Sequence, residues 1–236
     1  VYNTLFARVN SKGVLADATV IRVAPDAKKI IIMPVSAFTV SGSQTMREIH
    51  EEGGMVKLEA AVADTFGITI DNYVSLTNDA FENAADIVGG ITHTPDEELY
   101  YLSQDNDEND IAIPSGDLTN LSGHQIRLIC QYPVFKEGRN GNMKFLGTAV
   151  TMLINNAFQQ TNITKDNLDN FYNIFTANSD TDWTSAQYKE EKSYLKDMLD
   201  QNLTPAEALV PEGEWTDDSH FKVSDKFKES VQTMLK

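Results

Sequence analysis

The chain has 236 residues, 35 acidic against 19 basic, for a formal net charge of −16. Such a field repels polyanions and excludes nucleic acid as a partner. The single cysteine excludes an intrachain disulfide and a cysteine-based zinc site, and no run of about 18 apolar residues marks a membrane-spanning helix.

Residues 2–7 read as a strand, followed by a turn at Lys12-Gly13. Thr19 to Ala24 and Lys28 to Val35 read as two more strands joined through Pro25-Asp26-Ala27. Ile30-Ile31-Ile32-Met33 is continuously apolar, as a central strand covered on both faces requires. A polar loop, Ser41 to Thr45, precedes a helix whose stripe is Val56, Leu58, Ala61, Val62 and Phe66, closed by a left-handed cap at Gly67. Ile68 to Leu76 reads as a strand, and Asn78 or Asp79 as the cap of a second helix. Phe81, Ala84, Ala85 and Val88 of that helix face inward, and Gly89-Gly90 end it. Residues 103–110, SQDNDEND, form a solvated acidic loop without the glycine and closing glutamate of an EF-hand.

Leu118 to Cys130 reads as a turn and a short helix beginning near Ser122-Gly123, with Cys130 as a small core residue. Residues 131–142 read as a loop rich in glycine and asparagine, then Met143 to Phe158 as a strongly apolar helix. Further helices follow over Leu168–Phe175, Ser185–Leu199 and about Asp225–Leu235, the last capped by Ser224 or Asp225. The pattern predicts an α/β protein with a central mixed β-sheet flanked by helices on both faces, three layers in all. Its boundaries are those of one domain, 1–236, with a helical C-terminal part from about 143.

The sequence lacks the P-loop, GxSxG, HExxH and GxGxxG motifs. His50, His93, His124 and His220 are scattered without metal-ligand spacing.

The block from Gly53 to Ile91 resembles the LytR-CpsA-Psr family of bacterial cell-envelope proteins. The residues that carry the likeness are Gly53-Gly54, Phe66-Gly67-Ile68-x-Ile70-Asp71-x-Tyr73-Val74, Phe81, and Asp86-x-x-Gly89-Gly90-Ile91. Asn3-Thr4-Leu5, Asp17, Lys28-Lys29, Leu121-Ser122-Gly123-x-Gln125, Phe175-Thr176-x-Asn178, Pro211-x-Gly213 and Phe221-x-Val223-x-Asp225 continue it in order. The resemblance implies an extracytoplasmic domain, membrane-anchored in the full-length protein through an N-terminal segment missing from this sequence. It implies an apolar slot for a polyprenyl phosphate lipid, and transfer of a glycopolymer from its polyprenyl-pyrophosphate carrier to a wall glycan. In that chemistry arginine forks neutralise the pyrophosphate, and Mg2+ held by carboxylates offsets charge on the leaving group.

The charged motifs depart from the family. Its R-x-D-T stands here as Leu15-Ala16-Asp17-Ala18, and its I-P-R-D as Pro34-Val35-Ser36-Ala37. Its R-x-R stands as Gln131-Tyr132-Pro133, and its D-x-G-R-x-x-R-Q as the stretch from Asn140 to Gly147. A hydrogen bond to a charged group in a buried site is worth about 1.5–3 kcal/mol, so replacing several such groups removes most of the affinity for a pyrophosphate. The reading is a catalytically impaired, lipid- or glycan-binding relative of the transferases, a pseudoenzyme with no intact catalytic set. Ligand-pocket candidates are Asp17, Ser36, Gln131, Lys136, Arg139, Asn140 and Lys144, and Asp17 is the lone candidate for Mg2+. Two alternatives stand beside it. One is an active phosphotransferase whose cations have moved to Arg139, Lys136 and Lys144, with Arg8 or Arg47. The other is a cell-surface protein-interaction module with no small-molecule ligand.

Overall fold

The computed structural model describes residues 1–104 and 109–235. Its centre is a five-stranded mixed sheet made by β1 (Tyr2–Val9), β2 (Leu15–Ala24), β3 (Lys29–Ser36), β6 (Asn72–Thr77) and β11 (Ala206–Ala208), in the order β11-β3-β2-β1-β6. The three N-terminal strands pair antiparallel, and β6 and β11 join the two edges in parallel. The expected mixed sheet between helical layers is present.

Alternation along β3 explains its unbroken apolar run. Ile31, Met33 and Val35 enter one core, while Ile30 and Ile32 enter the other. The first core packs the sheet against α1 (Met46–Phe66) and α7 (Asp225–Met234). The second lies beneath α2 (Asn78–Ile87), α3 (Gly123–Cys130), α4 (Arg139–Gln159), α5 (Thr161–Thr176) and α6 (Ser185–Leu199).

The structure moves several boundaries. The 41–45 segment is a tight hairpin of β4 (Val40–Ser41) and β5 (Gln44–Thr45) rather than a loop. Thr45 then starts α1 with a capping box, its Oγ1 accepting from the Glu48 amide while the Glu48 carboxylate accepts from the Thr45 amide. α1 therefore begins ten residues before Val56 and passes through a break at Gly54, whose φ of 65° is left-handed. Met55, Leu58, Val62 and Phe66 form the buried stripe, each side chain worth roughly 1.5–3 kcal/mol of burial. Val56, placed in that stripe from its spacing, is 62% exposed because it stands one residue round the helix from Met55. Gly67 is the left-handed cap expected of it.

The cap of α2 is Thr77, the last residue of β6, not Asn78 or Asp79. Ile68 and Ile70 are buried in the segment leading to β6 rather than paired within it. α4 starts at Arg139, so Arg139 and Asn140 belong to its first turn and not to a loop. Three short strands interrupt the helical C-terminal part: β11, and the hairpin of β12 (Gly213–Asp217) and β13 (His220–Val223). Between α2 and α3 lie two more strand pairs, β7 (Ile91–His93) with β10 (Thr119–Leu121) and β8 (Leu99–Tyr101) with β9 (Ile111–Ile113). Ser224 caps α7 as read from sequence, and Cys130 is buried and free. The middle of the acidic loop, 105–108, lies outside the described residues.

The glycine pair after α2 separates two constraints. Gly89 has φ 80° and open space where a Cβ would stand. Gly90 has φ 69°, and its Cβ would stand 2.0 Å from the Leu121 carbonyl oxygen. Gly89→Ala is expected to lower unfolding free energy by about 1–2 kcal/mol, the left-handed backbone cost alone. Gly90→Ala is expected to cost more than that, because backbone must also move. Urea unfolding of the two variants measures the difference.

Candidate functional site

The sheet face turned toward α2, α4, α5 and α6 does not close against them. A cavity of about 290 Å³ remains between the layers. Its floor is built by the two-residue period of paired strands: Tyr2, Thr4, Phe6 and Arg8 from β1, and Asp17, Thr19, Ile21 and Val23 from β2. Six residue steps from Tyr2 to Arg8 give the slot a length of roughly 20 Å. Leu146, Val150, Leu153 and Ala157 of α4 and Phe171 and Phe175 of α5 supply much of its roof. Phe81, Ala84 and Ala85 of α2 and Val88 just after it, the four residues read as inward-facing, line it too. Between its ends the wall is almost wholly apolar.

One end carries an ion pair. Arg8 is 2% exposed and grips Asp17 with two nitrogens, Nε donating to Oδ1 at 3.3 Å and Nη2 donating to Oδ2. Its Nη1 donates to Asn78 Oδ1 at 2.9 Å. Asn78 makes this contact because Thr77 has taken the helix cap. Burial opposes the charge on Arg8, but the neighbouring Asp17 carboxylate restores it and holds the pKa above the usual arginine value. Cys130 stands near the pair, and burial pushes its thiol far up, leaving it unreactive.

The other end carries Glu191, 7% exposed on the inner face of α6. Burial pushes its carboxyl up to about 7, although the Trp183 Nε1 donor at 2.8 Å favours the ionised form. Aromatic packing fixes that donor: the Trp183 ring lies 6.5 Å from Phe6, 5.1 Å from Tyr172 and 5.9 Å from Tyr188, each edge to face.

Beyond the Arg8–Asp17 end lies a group of cations. Asp17 pairs across the sheet with Ser36, and two residues on from Ser36 is Phe38. The Arg139 guanidinium stands 4.0 Å from the Phe38 ring centroid and that of Arg47 4.5 Å. Each Nε donates to a backbone carbonyl, Arg47 to Leu15 and Arg139 to Asp218. Among the described residues neither has a carboxylate at salt-bridge distance. Burial lowers the Arg47 pKa, and the Arg139 charge lowers it further. Gly138 leaves the start of α4 beside them without a side-chain cap.

The residues singled out in the sequence are scattered relative to the slot. Asp17 lines it. Ser36 is buried at the end of β3, its Oγ accepting from the Phe38 amide. Gln131 is exposed at the end of α3, and Lys136 is exposed with its amide donating to Glu97. Asn140 accepts from Trp215 Nε1 at 2.8 Å, and Lys144 pairs with Glu137 at the surface. Asp17 does not fit a magnesium site: both its oxygens are taken by Arg8, and no group of three or more potential ligands converges among the described residues.

Arg8, Asp17, Arg47, Arg139 and Glu191 carry the polar features of the site. Glu191 was legible in principle: Tyr188, Glu191, Leu195 and Met198 share one face of the helix, with a carboxylate among apolar neighbours. Nothing in the sequence brings Arg47 and Arg139, 92 positions apart, to one ring.

The two ends of the slot respond differently to substitution. Asp17→Ala leaves a buried guanidinium without its counter-charge and is expected to cost about 3–5 kcal/mol. Arg8→Met with Asp17→Leu removes both charges and is expected to recover most of that, as read by denaturant unfolding. Glu191 has an ordinary value of 4.5 and is raised to about 7 in the fold. Its carboxylate therefore costs nothing at pH 4, and stability falls as pH rises from about 4.5 through about 7. Glu191→Gln is expected to gain about 2–3 kcal/mol on wild type between pH 4 and pH 8.5 in thermal unfolding.

The chain matches solved structures along its length. A crystal structure from Eubacterium siraeum DSM 15702, described as a candidate transcription regulator, shares 18% identity at a TM-score of 0.87, covering 99% of this chain and 90% of that one. B. subtilis TagV shares 18% identity at a TM-score of 0.76, covering 99% and 95%. TagT bound to LIIa-WTA shares 12% identity at a TM-score of 0.72, covering 99% and 89%. At these identities the likeness is one of fold. No curated protein sequence matches the chain. No described helix is long and apolar enough to cross a membrane. The LytR_cpsA_psr family profile matches residues 31–236, and the chain belongs to that family.

Proposed function

We propose that the protein holds the polyprenyl chain of a phosphorylated lipid in the slot between sheet and helices, and that its transferase chemistry is impaired. It acts in attaching or handling cell-wall glycopolymers outside the cytoplasmic membrane, to which the full-length protein is anchored. The observation that carries the reading is the slot itself. It is an apolar channel roughly 20 Å long, with a charge-balanced ion pair on its wall at one end. Beyond that end stand two arginines whose forks meet no carboxylate among the described residues. A flexible hydrocarbon fits the channel, and a phosphate fits two guanidiniums stacked on one ring. Family membership and the TagT complexes with LIIa-WTA and LI-WTA support a wall glycan as the other part of the ligand. Impairment is supported by Asp17, whose two oxygens are engaged by Arg8 and so are not free to act on a pyrophosphate or hold Mg2+.

A second reading, an active transferase with relocated cations, is favoured by Arg47 and Arg139 alone. Lys144 is engaged by Glu137 at the surface, and Lys136 lies in the loop before α4. The purified protein is expected to bind polyprenyl phosphate, with a change in Trp183 fluorescence, and to bind neutral polyprenol more weakly. Arg47→Ala and Arg139→Ala are each expected to weaken the phosphorylated lipid by about tenfold and leave polyprenol unaffected. Ala84→Trp, filling the slot, is expected to abolish both. Transfer of a glycan from a polyprenyl-pyrophosphate carrier, abolished by Asp17→Ala in a protein that stays folded, would establish the second reading instead.

A further inference from the structure

We propose that Tyr2 and Glu191 form the end wall of the slot and set the length of hydrocarbon chain it accepts. The inference rests on the lipid reading above and adds a specificity determinant to it. Both side chains line two spaces at once: the apolar slot, and a second cavity of about 320 Å³ on their far side. The second cavity is of opposite character. Asp26, Asp71, Asn72, Gln187 and Glu190 line it together with Tyr194. A methylene placed between Arg8 and Tyr2 leaves water for an apolar wall, which strengthens binding about fourfold per carbon. One placed past Glu191 meets carboxylates and water and gains almost nothing.

The end wall is built to stay in place. Trp183 holds the Glu191 carboxylate at 2.8 Å while packed on Phe6, Tyr172 and Tyr188. The groups around Glu191 are mostly acidic. Asp71 precedes β6, Glu190 adjoins it on α6, and Asp26 follows β2, while the phenols of Tyr2, Tyr188 and Tyr194 flank it. Cations on that side among the described residues include Arg22, which interacts with Asp71, and Lys192, which pairs with Asp169 and stands 5.7 Å from the Tyr188 ring. Desolvation and the neighbouring carboxylates favour the neutral acid, and a hydrocarbon end laid over Glu191 favours it further. Chains that reach the end wall therefore bind better where Glu191 is protonated, and shorter chains are indifferent to pH.

The test is a titration of the 236-residue protein with n-alkyl sulfonates of increasing length, kept below micelle formation, since their charge does not change between about pH 5.5 and 8.5. Affinity is expected to rise about fourfold per methylene, then to break and level off. Tyr2→Ala and Glu191→Leu are each expected to move the break to longer chains. Lowering the pH across that range is expected to tighten only chains at or beyond the break, and to do nothing in Glu191→Leu. If Glu191→Leu does not fold, Glu191→Gln supplies the pH arm, and its profile is expected to be flat. A rise with no break, or a break unmoved by both variants and by pH, overturns the length gauge and leaves the lipid slot standing. Failure of every sulfonate to bind overturns the lipid reading and this inference with it.

Discussion

The two-residue period of β1, β2 and β3 shapes both layers of the molecule. Side chains of one parity pack under α1 and α7 as a dry core, and those of the other parity face the remaining helices. On β1 and β2 the second set spans an unfilled space. The aromatic and aliphatic residues of α4, α5 and α6 roof it from the opposite layer without reaching it. An interior normally packs to the density of an organic crystal, so a channel walled by apolar side chains and left open is a departure that a ligand would relieve. The other layer leaves no such space at its centre, where Leu5, Leu58, Val62 and Phe66 are completely buried.

The two ends of the slot use opposite electrostatic solutions. At the Arg8 end a buried charge is neutralised by a partner gripping it twice, and the local sum is zero. At the Glu191 end burial and neighbouring carboxylates reduce the charge of a buried acid by shifting its proton equilibrium. Arg47 and Arg139 stand outside both arrangements. The chain carries a net charge of −16, so two guanidiniums against one phenylalanine ring are a local reversal of field. That reversal suits an anion beyond the Arg8–Asp17 end of the slot. This ordering of anion site, ion pair, apolar channel and acidic vestibule follows the line of β1.

Legibility in the sequence varied with the range of the interaction. Caps and breaks are local, and Gly67, Gly89-Gly90 and Ser224 were readable from neighbouring residues. Register and competition between candidates were less so. Thr77 took the cap that Asn78 and Asp79 could also have supplied, since it ends β6 and its hydroxyl reaches the Ala80 amide. The start of α1 is hard to read because its signal, Thr45 with Glu48, lies ahead of a glycine pair that looks like a helix opening and is an internal break. β11 is three residues long and pairs with β3 across more than 170 positions, which no local pattern encodes.

Composition, periodicity and short motifs were enough for the layered α/β class, the family likeness, the absence of a disulfide, and the altered charged motifs around 15–18, 34–37 and 131–147. Each of these is decided within a few residues of chain. Three features exist only in the assembled fold: Arg8 buried and engaging Asp17, Arg47 and Arg139 meeting over Phe38, and Glu191 dividing an apolar slot from an acidic cavity. Each joins side chains from separate elements, so its energy depends on packing and desolvation that arise once the layers have come together.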